Sequence, residues 1–88
     1  MKVCAIIVAY NNPEELKVCI ESILLNRSYA EIDLFVTDNS SMEIQRKNVE
    51  FLSHMKGVYY CPLEENFGSS FGYSLGMYFA TTKKYDFI

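Results

Sequence analysis

An unbroken apolar run, Val3 to Ala9, constrains this chain most. A strand built from it must be buried on both faces, as strands in the interior of a parallel sheet are. The run stops at Tyr10-Asn11-Asn12-Pro13. Asn12 suits a helix N-cap, Pro13 suits the first helical position, and Glu15 completes a capping box. Leu16, Ile20, Ile23 and Leu24 then share one face of a helix that ends near Asn26. The alternation repeats. Strand two is Ile32 to Thr37, and Ser40 with Glu43 gives a second capping box. Helix two carries Ile44, Phe51, Leu52 and Met55 and stops before Gly57. Strand three is Val58 to Cys61, closed by Pro62. A loop through Glu64-Glu65-Asn66 leads to helix three, roughly Ser70 to Thr82, and Asp86-Phe87-Ile88 begins a fourth strand. Strands alternating with helices predict right-handed βαβ units and a parallel sheet.

With 88 residues, the chain has room for one small domain. Half of its residues are apolar, which predicts a packed core rather than disorder. A net charge of −3 argues against a nucleic-acid partner, whose phosphates need a basic face. The basic pairs Arg46-Lys47 and Lys83-Lys84 read as solvated helix surface. Cys4, Cys19 and Cys61 never form a C-x-x-C pair; two fall in strand runs and one on an apolar helix face. They read as buried, reduced thiols. His54 has no second ligand at metal spacing and reads as a surface helix residue. Met1-Lys2 leads straight into a strand, and no apolar run reaches membrane-spanning length. A cytoplasmic setting is expected, or the inner face of the membrane for the intact protein. Asn26-Arg27-Ser28 and Asn39-Ser40-Ser41 are chance matches to the glycosylation pattern.

Chemistry is expected at the carboxyl ends of the strands, where open α/β sheets bind ligands. The second strand ends in Val36-Thr37-Asp38-Asn39-Ser40-Ser41, so the Asp38 carboxylate would point into a crevice. Asp38 equally suits the positive N-terminal end of helix two. Tyr10 could stack on a flat base or be an ordinary tyrosine at the core's edge. Gly68, Gly72 and Gly76 recur every four residues and would form one helix stripe without side chains, which lets the backbone approach a neighbour closely. No dinucleotide or P-loop glycine pattern is present.

VCAIIVAYNN, Pro13-Glu14-Glu15-Leu16, Cys19-Ile20-Glu21-Ser22-Ile23, VTDNSS and Glu65-Asn66-Phe67-Gly68 together resemble the start of a family 2 glycosyltransferase. The resemblance spans nearly the whole chain. It implies the N-terminal nucleotide-binding half of a GT-A domain over residues 1–88: a three-layer, Rossmann-like α/β parallel sheet of order 3-2-1-4 with strand four truncated. The chain would be a fragment that stops before the family's Asp-x-Asp metal motif and is inactive alone. The resemblance implies a UDP- or dTDP-sugar as donor and an acceptor hydroxyl. Ala9, Tyr10, Asn11, Asp38, Asn39, Asn66, Gly68 and Gly72 would bind the nucleotide, Asp38 through the imide N–H of the base and the glycine-rich segment beside the diphosphate. No catalytic or metal-binding residue is expected here; a divalent ion, Mg or Mn, would belong to the intact enzyme. Phe71, Tyr73 and Ser74 depart from the family pattern, in which small or amide residues are usual. The rival reading is a non-catalytic α/β nucleotide-binding or assembly module. With strand four reduced to a stub, copies are expected to associate through strand one or that stub.

Overall fold

The computed structural model describes residues 1–28 and 30–88, and of Ser28 the main chain only. The Ser28 hydroxyl of the Asn26-Arg27-Ser28 pattern lies outside the described residues. Three strands, β1 (Lys2–Ala9), β2 (Glu31–Asp38) and β3 (Val58–Pro62), form one parallel sheet with β2 in the middle. Between and after them come α1 (Pro13–Leu24), α2 (Met42–Leu52) and α3 (Ser69–Thr81); a short 3-10 turn, Leu25–Ser28, follows α1.

The period-two alternation of strand side chains divides the core between two faces. Ala5, Ile7, Ala9, Leu34 and Val36 pack against Leu16 and Ile20 of α1 and Leu52 of α2. Cys4, Ile6 and Phe35 meet Leu75, Phe79 and Ala80 of α3 on the other side. The Phe79 ring stacks on Phe35 at 4.6 Å and tilts against Tyr59 at 4.9 Å. Two glycines let α3 lie close to β1. A Cβ on Gly72 would stand 2.8 Å from Val8 Cγ2, and one on Gly76 would run into Ile6 Cγ2. Gly68 does not belong to this stripe. It is the N-cap of α3 with φ 87°, outside the helix, and open space surrounds its missing side chain.

Several expectations change. Of the expected fourth strand beside β1, one parallel bridge is seen, Phe87 to Val3, with Cys4 N–H donating to Phe87 O at 3.0 Å. Only the order of three strands is therefore visible. Asn12 stands at the N-cap of α1 but makes no side-chain cap. Ser41, not Ser40, caps α2, accepting from Ile44 N–H at 3.5 Å, because the Ser40 hydroxyl is turned to Asn11 N–H at 2.7 Å. Cys4 is buried and Cys61 half-buried, but Cys19 is exposed. It sits on the flank of α1 beside the β1 edge, where among the described residues no further strand packs against it. His54 is exposed, in the turn after α2 rather than on the helix. None of the helices is long and apolar enough to cross a membrane, among the described residues.

Candidate functional site

The parallel register brings Ala9 beside Asp38 at the carboxyl ends of β1 and β2. Asn39 N–H donates to Ala9 O at 2.9 Å and Leu63 N–H to Asp38 O at 2.9 Å. The first four residues after each strand are thereby drawn to one end of the sheet. Tyr10 emerges from β1 with its side chain 54% exposed. Asn11 follows in the left-handed region, φ 52°, a conformation asparagine tolerates better than most residues. Its Oδ1 accepts Ser41 N–H at 2.9 Å, so its amide joins the β1 turn to the start of α2.

Asp38 does not open into the crevice. The residue is 0% exposed. Its Oδ1 accepts Ser40 N–H at 2.9 Å, and its Oδ2 accepts Asn48 Nδ2–H at 2.7 Å and the Tyr60 hydroxyl at 2.6 Å. Three donors draw the carboxylate beneath the site, towards α2 and β3. Burial and this carboxylate push the Tyr60 phenol well above its ordinary range. Gln45 is buried beside it and donates from Nε2 to Ser40 O at 3.1 Å and to Leu63 O at 2.7 Å.

Asn39 is nearly buried and spans to the third loop: its Oδ1 accepts Phe67 N–H at 3.3 Å and its Nδ2 donates to Gly68 O at 3.2 Å. Asn66 is exposed and accepts Gly68 N–H at 2.8 Å, closing a tight turn before α3. The first N–H groups of α3 have no intrahelical partner, and Gly68 offers no side-chain cap. Gly72 is buried under Val8, with its carbonyl accepting from Thr37 Oγ1 at 3.1 Å. It enters the site through packing.

The expected residues thus gather at one end of the sheet, in two tiers. Tyr10, Asn11, Asn66 and Gly68 lie at the surface; Ala9, Asp38, Asn39 and Gly72 form the floor. Gln45, Asn48 and Tyr60 belong to that floor and were not anticipated. Their signal was present: Gln45 and Asn48 fall at i and i+3, with Leu52 four residues on, on the α2 face that packs inward.

The sequence model of the family described as Glycosyl transferase family 2 matches residues 4–88. The chain belongs to glycosyltransferase family 2. No curated protein and no solved structure matches it. In this family 2 chain an open hollow of about 580 Å³ lies at the opposite end of the sheet, lined by Arg27, Asp33, Lys56 and Gly57 among others. The Arg27 guanidinium is committed there to Ile32 O at 3.1 Å and Lys56 O at 2.6 Å, and the hollow is away from the carboxyl strand ends. Among the described residues no group of three His, Cys, Asp or Glu could hold a metal, and both Asp38 oxygens already accept hydrogen bonds.

Proposed function

We propose that this chain binds the nucleotide part of a UDP- or dTDP-sugar, as the nucleotide-binding half of a GT-A glycosyltransferase that transfers the sugar to an acceptor hydroxyl. One observation supports the reading most. Asn39 bonds to Ala9 on one side and to Phe67 and Gly68 on the other. It thereby holds an exposed aromatic ring and an uncapped helix N-terminus at the same end of the sheet. Tyr10 would stack on the base, and the first turn of α3 would face the diphosphate, since helix N-termini favour anions. With its carboxylate enclosed, Asp38 supports the site from below rather than meeting the base. Calorimetry with UDP, CDP and ADP tests the reading: UDP should bind best, and equal binding of ADP would remove the pyrimidine assignment.

The divalent ion of the intact enzyme, Mg or Mn, would take its ligands from residues other than these. The chain by itself should therefore release no UDP from a nucleotide sugar, with or without manganese; metal-dependent turnover would overturn this. The alternative reading is a non-catalytic nucleotide-binding or assembly module. The open edge of β1 supports association of copies, through β1 or through the segment that bridges to Val3. The same reading carries a cytoplasmic setting, or the inner face of the membrane for the intact protein.

A further inference from the structure

We infer that Tyr60 and Asn48 are positioning residues for the nucleotide site, holding the Asp38 carboxylate and, through it, every loop that borders the site. The inference rests on the donor-site reading above. Asp38 is the point at which four segments meet. Its Oδ2 is held by Asn48 of α2 and Tyr60 of β3, its Oδ1 by Ser40 N–H, and its main-chain carbonyl by Leu63 N–H. Ser40 then fixes Asn11 through its hydroxyl, and Asn11 fixes Ser41. Asn39, held between these contacts, fixes Phe67 and Gly68. Tyr10 and the N-terminus of α3 are therefore both set by one buried turn.

The network is costly in stability. Asn48 is fully buried, and its Oδ1 has no hydrogen-bond partner among the described residues. A buried acceptor left unmatched destabilises the fold, and apolar groups of similar shape often serve a core as well or better. What the Asn48 amide does gain is the 2.7 Å bond to Asp38. Local rules broken in this way are expected where function sets the residue. The Tyr60 phenol, held protonated by burial and by Asp38, remains a donor through the neutral range.

Tyr60→Phe removes the hydroxyl and keeps the ring. Ile20→Val, in the core under α1, is the control for simple loss of stability. Two measurements on the whole chain decide the matter. In the ligand-free protein, amide exchange at Asn11, Ser40, Ser41 and Leu63 should rise about tenfold in Tyr60→Phe beyond any change elsewhere, as expected of local opening. Ile20→Val should move core amides together. A uniform change in Tyr60→Phe would overturn the inference. By calorimetry, Tyr60→Phe should weaken UDP, CDP and ADP alike by about three- to tenfold, with Ile20→Val near wild type. Loss confined to UDP would mean that this network reads the base, and would equally overturn it. If the wild-type chain binds no nucleotide, the donor-site reading fails, and the exchange measurement alone still decides whether Tyr60 sets the loops.

Discussion

At the scale of single residues, two side chains separate binding from support. Tyr10 has an exposed ring and no role in the core, so Tyr10→Ala should leave the thermal midpoint almost unchanged. It should weaken nucleotide binding by about 1–3 kcal/mol, the usual worth of a base–aromatic stack; titration calorimetry beside a melting curve checks both halves. Two half-buried tyrosines also act on stability. Tyr60 and Tyr85 donate to Asp38 and Asp33, and burial first, then these carboxylates, raises both phenols above 10.0. The folded chain keeps phenol protons that the unfolded chain releases near pH 10. Above that pH the unfolded state binds fewer protons, so stability should fall as pH rises through about 10. Urea midpoints at about pH 8 and about pH 10.5 should show the fall, and Tyr85→Phe should make it shallower. The role of Asp38 was only half legible in the sequence. Its place at a strand end follows from VTDNSS, but the direction of its carboxylate is set by Asn48 and Tyr60, ten and 22 positions away. No local pattern encodes that turn inward.

At the scale of elements, the strands were the most readable. Val3–Ala9 and the run ending at Asp38 are apolar on both faces because α1 and α2 cover one side and α3 the other. Caps were less readable, since a serine hydroxyl can serve either its own helix or a neighbouring strand end. Ser40 serves Asn11, which leaves the capping of α2 to Ser41. The glycine repeat in α3 was read as one stripe, whereas only Gly72 and Gly76 lie against the sheet. The distinction is measurable. Gly72→Ala pushes a methyl into Val8 and should cost about 1–3 kcal/mol, as overpacking does. Gly68→Ala meets nothing but must hold φ 87°, and should cost about 1 kcal/mol or more through backbone strain alone. Urea unfolding of each variant, with Val8→Ala added to each, separates them: Val8→Ala should relieve only the Gly72 variant.

For the molecule as a whole, β1 is the edge of the sheet that matters. Its first residues are bridged by Phe87, and among the described residues no strand pairs with the remainder. Phe87 and Ile88 at that edge, and Tyr73, Met77 and Tyr78 on α3, are exposed. Unpaired edge groups beside apolar surface favour joining of chains. Light scattering at micromolar concentration should give a mass above the monomer, and a monomer mass throughout would end that expectation. The close seating of α3 on β1 has a consequence for how such a sequence can drift. Gly76 and Ile6 share a single space, with the isoleucine filling what any larger residue at 76 would need. A methyl gained at position 76 is tolerated best where position 6 gives up atoms.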